Sequence, residues 1–266
     1  MKILVPTDLS DNAKNAINFA KAYAKFNDAS ITLLYAYYAV YDFAAQAQEI
    51  ITAIEKDASK ALKMEVNDNK EGFQIDYKIV QGTVATAVSA AIMEGEYDMI
   101  IMGTQGASGI KKNLIGSNTA TVIKESEVPV IAVPKGSSFS TVVDITVAVE
   151  LTKEDEKLFK KLVRLTESFN FPYSVLHIES EESFDKAISF KGLESYLKET
   201  YPDCSFEFIK VKEKNFDRGI DLYLKDHPNT FMVMLSKDKT FFEFLFNKSH
   251  SMELAYHTHV PLLVIK

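Results

Sequence analysis

Three glycines and a cluster of small polar residues follow an apolar run in the first half of the chain. The run DMIIMG ends at Gly103, Gly106 follows, and Gly116 and Ser117 precede a helical pattern. Glycine lets the backbone approach a ligand closely, and consecutive N–H groups can form a nest for an anion. Ser117, Asn118 and Thr119 would add side-chain donors at the positive end of the helix. The stretch fits a nucleotide phosphate site, and it equally fits a glycine-rich loop in which Ser117 caps the helix.

The two common phosphate fingerprints are absent from the sequence. Neither G-x-x-x-x-G-K-[ST] nor G-x-G-x-x-G occurs, and the spacing is Gly103-x2-Gly106-x9-Gly116-Ser117. In open α/β sheets ligands sit outside the carboxyl ends of strands, which is where this glycine stretch begins. Asp8 follows the first apolar run, where it suits an ordinary strand-end turn with Ser10 as the N-cap of the next helix.

The residues between these candidates predict alternating strands and helices. The predicted strands are KILVPT, ITLLYAYYA, FQIDYKIV, DMIIMG and VPVIAVP, several of them apolar throughout, as in parallel sheets covered on both faces. The stretches TVATAVSAAIM and SNTATVIKE predict two helices, and two more have apolar stripes. Those stripes consist of Ala13, Ile17, Ala20 and Ala24, and of Ile50, Ile54, Ala58 and Leu62. The alternation predicts an α/β fold with an open parallel sheet flanked by helices.

The pattern then restarts in the second half. Thr7-Asp8-Leu9-Ser10 aligns with Val149-Glu150-Leu151-Thr152, and Val128-Pro129 aligns with Val260-Pro261. The second copy is shorter, mainly after its second strand. The join PKGSSFST, residues 134–141, has the composition of a linker. We therefore predict two tandem domains, residues 1–136 and 142–266, rather than one larger α/β domain.

The first half resembles the universal stress protein family. KILVPTDLSDNAKNAINFA is similar to that family's first strand and helix, and VPVIAVP to its closing strand. VQGTVATAVSAAIMEGEYDMIIMGTQGASGIKKNLIGSNTA resembles its third helix, fourth strand and nucleotide loop. The resemblance covers residues 1–134 well and the second half in pattern. The chain thus resembles a tandem universal stress protein.

The resemblance implies five-stranded parallel sheets of order 3-2-1-4-5, with ATP at the switch point between strands one and four. The residues expected around the adenosine are Pro6, Thr7, Asp8, Ala36, Gly82 and Met102, where Ala36 replaces a frequent valine. The residues expected around the phosphates are Gly103, Gly106, Gly116, Ser117 and Asn118. Mg²⁺ would arrive, if at all, with the nucleotide. The resemblance also implies that the two domains pair within the chain through their closing strands.

The second half lacks the glycines of the first. Ser236, Lys239 and Lys248 stand where we align Gly103, Gly106 and Gly116, and Glu150 replaces Asp8. Phe241, Phe242, Phe244 and Phe246 crowd the same stretch, where they could cover a degenerate pocket, line an apolar site or form an interface. We predict no nucleotide there. His250, His257 and His259 lack an evident fourth ligand, so we predict no metal site.

The composition favours a binding protein over an enzyme. Residues 1–134 contain no His, Cys or Arg, so an imidazole-based nucleophile pair is excluded there. We predict a stress-response regulator in which ATP orders the Gly103–Gly116 loop, with little or no hydrolysis and an unidentified protein partner. A slow ATPase and a nucleotide-free interaction or apolar-ligand protein are the alternatives, and a homodimer stays open.

Charge and hydropathy narrow the expected surroundings of the protein. The net charge of −7 argues against a nucleic-acid binder, which needs a basic face. No apolar run approaches the ~20 residues that span a bilayer, and the start of the sequence lacks the apolar core of a signal peptide. The single cysteine, Cys204, fits a reducing compartment. We therefore expect a cytoplasmic protein with no membrane partner.

Overall fold

The computed structural model describes residues 1–38, 44–68, 72–95, 97–105, 115–151, 156–235 and 259–266. Within them the chain forms two compact units, which divide between Phe139 and Ser140. Each unit contains a parallel sheet flanked by helices, so the predicted fold class is confirmed. Among the described residues, no helix is both long and apolar enough to cross a lipid bilayer.

The first unit alternates strands and helices from its first residues. Its elements are β1 (Lys2–Thr7), α1 (Asp11–Asn27), β2 (Ser30–Tyr37), α2 (Ala44–Asn67), β3 (Ile75–Gln81), α3 (Val84–Glu94), β4 (Met99–Gly103), α4 (Ser117–Glu125) and β5 (Val130–Val133). The strands lie in the order β3-β2-β1-β4-β5, and all the recorded pairings are parallel. Because the order reverses between β1 and β4, a crevice forms at their carboxyl ends.

The second unit repeats this arrangement. Its elements are β6 (Asp144–Ala148), α5 (Glu156–Thr166), β7 (Tyr173–Glu179), α6 (Phe184–Thr200), β8 (Phe206–Lys212), α7 (Phe216–Asp226), β9 (Thr230–Leu235) and β10 (Leu262–Ile265). Its strand order is β8-β7-β6-β9-β10, which is the order of the first unit. α6 has 17 residues where α2 has 24, so the second copy is shorter in the region that we predicted.

The two units also share unusual backbone dihedral angles at corresponding residues. Among the described residues, the non-glycine positions with positive φ are Leu9 and Leu151, both at 62°, and Asp28 and Asn170, at 46° and 54°. Both pairs are separated by 142 residues, the offset of the aligned Thr7 and Val149. Residues other than glycine rarely adopt a backbone conformation with positive φ. Its recurrence shows that the two units share the turn after their first strand and the turn before their second strand, as well as their strand order.

Apolar strands and capped helices explain why these residues fold in this way. Val5 and Leu4 in β1 and Ile100 and Ile101 in β4 are fully buried, as expected for strands covered on both faces. Ser10 is the N-cap of α1, as predicted, and its hydroxyl accepts a hydrogen bond from the Ala13 N–H at 3.2 Å. The predicted stripe of α1 is buried throughout.

The predicted stripe of α2 is only partly correct. Ala58 and Leu62 are buried, whereas Ile50 is 54% exposed. The 24 residues of α2 span about 36 Å, but the eight residues of β2 span only about 26 Å. The helix is therefore longer than the strand beside it, which is consistent with the exposure of Ile50 near its start.

The segment of linker composition is anchored to the first unit. Phe139 is 2% exposed and makes edge-on or tilted ring contacts with Phe19, Tyr23 and Phe26 of α1, at 5.4–5.9 Å between centroids. The Asn15 amide of the same helix donates to the carbonyls of Pro134 and Ser137, at 3.0 and 3.1 Å. These contacts explain why the first unit extends to Phe139.

Candidate functional site

A pocket opens at the carboxyl ends of β1, β2 and β4 in the first unit. Its space is about 720 Å³, which includes its open mouth. It collects nine of the predicted site residues, namely Pro6, Thr7, Asp8, Ala36, Met102, Gly103, Gly116, Ser117 and Asn118. These residues come from four separate elements and the turns that follow them. The fold thus brings together positions that are up to 112 residues apart in the sequence.

The turn after β1 supplies the acidic residue of the pocket. The Asp8 carboxylate accepts hydrogen bonds from the Ser10 N–H at 3.0 Å and the Ser10 hydroxyl at 2.5 Å. The preceding Thr7 hydroxyl accepts from the Leu9 N–H at 3.1 Å, and Leu9 has the positive φ described above. Asp8 therefore has the turn role that we weighed as its alternative. It also lines the pocket, where it is the only charged residue among those described.

Two glycines in the pocket are required by close contacts. A Cβ at Gly103 would lie 2.9 Å from Asn12 Nδ2 and 3.2 Å from the Asn12 carbonyl oxygen. A Cβ at Gly116 would lie 3.1 Å from the Thr104 carbonyl oxygen, to which the Gly116 N–H donates. Side chains at either position would push the backbone apart at the entry and exit of the intervening segment. The glycines thus fix where this segment leaves β4 and enters α4.

The N-terminus of α4 faces the pocket without a side-chain cap. Gly116 is the N-cap and has no side chain, whereas Ser10, Thr83, Ser183 and Asn215 all accept a hydrogen bond at the start of their helices. The first N–H groups of a helix have no intrahelical acceptor. Ser117 and Asn118 are exposed and line the pocket. An anion at this helix end would meet backbone donors and the positive end of the helix dipole.

The opposite wall of the pocket is apolar. Leu34 and Ala36, two residues apart in β2, lie on the same face of the strand, and Met102 of β4 and Val84 of α3 line the pocket with them. Gly82 is not among the lining residues. Its φ of +147° and the 2.8 Å that would separate its Cβ from the Thr86 hydroxyl explain why glycine stands there. The pocket thus combines apolar side chains with the polar groups of the turn after β1 and the start of α4.

Part of the predicted site lies outside the described residues. Gly106 belongs to the stretch 106–114, and Ser236, Lys239, Lys248, Phe241, Phe242, Phe244, Phe246, His250 and His257 belong to the stretch 236–258. His259 is described and exposed. Among the described residues, no three His, Cys, Asp or Glu side chains are grouped as a metal site would require.

Of two further residues that hold the site together, sequence reasoning predicted Thr119 and missed Asn12. Thr119 is buried and its hydroxyl donates to the Gly103 carbonyl at 2.8 Å, which ties α4 to the end of β4. Asn12 of α1 donates through its amide to the Gln105 carbonyl at 2.5 Å. Thr119 was predicted as a side-chain donor at the start of the helix, and the structure shows its hydroxyl bonded to the protein backbone. Asn12 gave no comparable signal, because its partner is 93 residues away.

In the described part of the second unit, larger side chains stand at two positions that correspond to the pocket. Strand register places Ile178 where Ala36 stands, and Ile178 is 7% exposed. A Cβ on Gly219 of α7 would lie 2.6 Å from Ile178 Cγ2, so this side chain packs directly on the helix backbone. Leu235 pairs with Ile265 as Gly103 pairs with Val133. Our alignment of Ser236 with Gly103 was therefore wrong by one residue, because only strand pairing fixes the register.

The second unit contains a buried histidine beside this region. His177 is 2% exposed, and its Nδ1 lies 3.0 Å from the Val149 carbonyl oxygen, which makes Nδ1–H the donor. Its Nε2 is buried and has no hydrogen-bond partner among the described residues. Burial lowers the pKa of His177 below its ordinary 6.5, against the opposing effect of the Val149 hydrogen bond. Glu179 nearby is paired with Lys210 at 3.0 Å.

Comparisons with known proteins agree on one family. A sequence model of the universal stress protein family matches residues 1–134. Two universal stress proteins of Methanocaldococcus jannaschii are 31% identical over 147 residues, covering 50% of this chain and 82% of theirs, and 28% identical over 158 residues, covering 52% and 96%. A solved universal stress protein from Archaeoglobus fulgidus covers 100% of this chain and 98% of its own, at TM-score 0.76 and 17% identity. This last likeness extends the fold over both units.

Proposed function

The chain belongs to the universal stress protein family, and we propose that its first unit binds ATP as a regulatory ligand, one nucleotide per chain, with little or no hydrolysis. Family membership supports a stress-response role. The observation that carries the ATP proposal is the pocket itself, in which an apolar wall faces a glycine-capped helix N-terminus. Adenine needs the first of these surfaces and phosphates need the second.

The residues of the pocket fit the parts of the nucleotide in this way. Leu34, Ala36, Val84 and Met102 would contact the base, and Asp8 and Thr7 would lie near the ribose. The N–H groups at the start of α4, with the Ser117 and Asn118 side chains, would hold the phosphates. No Lys or Arg lies among the described lining residues, so backbone donors and any accompanying Mg²⁺ would balance the phosphate charge.

The residues that line the pocket also support weak hydrolysis or none. Transition-state stabilisation in phosphoryl transfer depends on Arg, Lys or metal groups aimed at developing charge, and on a positioned base. Asp8 is the only titratable side chain among the described lining residues, and its carboxylate is engaged by Ser10. We infer that ATP acts by changing the surface near residues 103–116, where a protein partner would distinguish the bound from the free form.

A thermal unfolding series tests ATP binding. A ligand that binds only the native state stabilises it by about 2.7 kcal/mol at 100 times its Kd, so saturating Mg-ATP should raise the melting temperature by several degrees. Gly116→Lys should abolish this rise, because a Cβ there meets the Thr104 carbonyl and the side chain enters the pocket. Gly192→Lys is the matched control, since Gly192 lies in α6 with no atom within 4 Å of its Cβ position.

Three results would each contradict a different part of the proposal. An unchanged melting temperature of the unsubstituted protein would refute ATP binding. A rise that persists in Gly116→Lys would refute this pocket as the site. Steady phosphate release that disappears in Asp8→Asn would replace the proposed switch by an ATPase.

A further inference from the structure

We propose that Asn12 is a positioning residue for phosphate binding: its amide holds the Gln105 carbonyl and so sets the path of the backbone that leaves β4 toward the phosphates. The inference rests on the proposed function, because it concerns how the same pocket holds ATP. It assigns a role to a residue of α1 that does not itself line the pocket.

Asn12 makes two contacts with the end of β4. Its Nδ2 donates to the Gln105 carbonyl oxygen at 2.5 Å. Its amide and carbonyl also lie against Gly103 so closely that a Cβ there would sit 2.9 Å from Nδ2 and 3.2 Å from the carbonyl oxygen. Gln105 lines the pocket. Asn12 therefore contacts the first and third residues of the segment Gly103–Gln105 from outside the pocket.

Two further contacts hold the same segment from the α4 side. The Thr119 hydroxyl donates to the Gly103 carbonyl at 2.8 Å, and the Gly116 N–H donates to the Thr104 carbonyl at 2.5 Å. Each of the three carbonyls from Gly103 to Gln105 thus has a donor from a different residue. Of these donors, only Asn12 ties the segment to α1. Loss of its amide would remove the contact with α1 while the α4 contacts remain.

The burial of Asn12 indicates that it has more than a packing role. The residue is 8% exposed, and its Oδ1 is buried with no hydrogen-bond partner among the described residues. A buried unsatisfied acceptor costs stability that an apolar residue of similar size would avoid. A positioning role toward the pocket accounts for an amide at this place.

The test compares Asn12→Leu with the unsubstituted protein for two ligands. Leucine has a similar size, carries no charge and cannot donate to Gln105. We expect the affinity for ATP to fall about tenfold, the loss that corresponds to one broken hydrogen bond to a part-buried carbonyl. The affinity for adenosine, which lacks the phosphates, should stay within about twofold. Both are measured by isothermal titration calorimetry, well below the melting temperature of each variant.

Asn15→Leu is the matched control. Asn15 lies one turn further along α1 and also donates its amide to loop carbonyls, those of Pro134 and Ser137, away from the pocket. Its substitution should lower the melting temperature and leave both affinities unchanged. If Asn12→Leu does not fold, Gly103→Ala attacks the same contact from β4 and should produce the same split between ATP and adenosine.

Each other result overturns the inference. Unchanged ATP affinity in Asn12→Leu refutes it while the proposed function stands. An equal loss for ATP and adenosine shows general damage to the pocket and no positioning of the phosphate side. If the unsubstituted protein binds neither ligand, the proposed function fails and this inference fails with it.

Discussion

The Asp8 side chain contributes both to a turn and to the lining of the pocket. Ser10 donates to it twice, which forms the turn between β1 and α1, and the same side chain lines the pocket. Turn and ligand roles are therefore compatible at one residue, because a carboxylate offers about four acceptor positions. The sequence alone left these two roles as alternatives, since each predicts an acidic residue at the end of the first strand.

Residues named by a linear motif were the ones that the sequence could predict. Nine of them line the pocket. They could be predicted because the family resemblance assigns a role to each position separately. Asn12 was missed because its role depends on a contact across 93 residues, and a polar residue in a helix start predicts only solvent exposure. Ile178 was missed for the same reason, since only strand pairing shows that it stands where Ala36 does.

His177 gives a residue-scale prediction about pH. In the native state burial lowers its pKa below 6.5, whereas the unfolded chain binds a proton at the ordinary value. The unfolded state therefore gains protons first as the pH falls through about 6.5, and the second unit loses stability toward acid pH. The groups acting on the ring are the Val149 carbonyl and Glu179, which favour protonation, and Lys186 and Lys210, which oppose it.

His177→Asn isolates this effect. The asparagine amide can still donate to the Val149 carbonyl but does not titrate. The loss of unfolding free energy between about pH 7.5 and pH 5.5, measured by urea denaturation, should be smaller in the variant than in the unsubstituted protein. An equal loss in both proteins would show that other groups cause the acid sensitivity.

At the scale of elements, helix ends and element lengths decide what the pattern could predict. The strands follow from apolar runs, and the Gly-Ser pair marks the start of α4 at Ser117, although Gly116 is its N-cap and Ser117 is not. The exposure of Ile50 does not follow, because periodicity tells which side of a helix is apolar but not how far the sheet beneath it extends. The anchoring of residues 134–141 could not be predicted from their composition either. Their glycine and serines indicate a linker, but the burial of the single residue Phe139 attaches the segment to the first unit.

Phe139 therefore gives an element-scale prediction. Its ring is buried against Phe19, Tyr23 and Phe26 of α1, so Phe139→Ala should lower the unfolding free energy of the first unit by about 3 kcal/mol. Val143→Ala is the control, because Val143 is 57% exposed and its loss should cost less than about 0.5 kcal/mol. Equal effects in urea denaturation would mean that the linker is not anchored through Phe139.

At the scale of the whole molecule, a duplicated fold has kept its backbone and changed its site. Leu9 and Leu151 retain the same positive φ, although the acidic residue beside them changes from Asp8 to Glu150. The cleft changes more, because Ile178 occupies the place of Ala36 and Leu235 that of Gly103. Backbone turns are set by local geometry, whereas a pocket closes as soon as small residues become large. Pairing of the two units through their closing strands stays a prediction from the family resemblance.

The number of nucleotides per chain tests this view of the whole molecule. We expect one ATP per chain, counted by native mass spectrometry at saturating ligand, because the second cleft is filled by Ile178 against Gly219. Gly116→Lys should reduce the number to zero. Ile178→Ala should lower the unfolding free energy of the second unit by about 2–5 kcal/mol and leave the number at one, since Leu235 still stands in place of the glycine at 103. Two bound nucleotides, or one that survives Gly116→Lys, would mean that the second unit has kept a site despite its side chains.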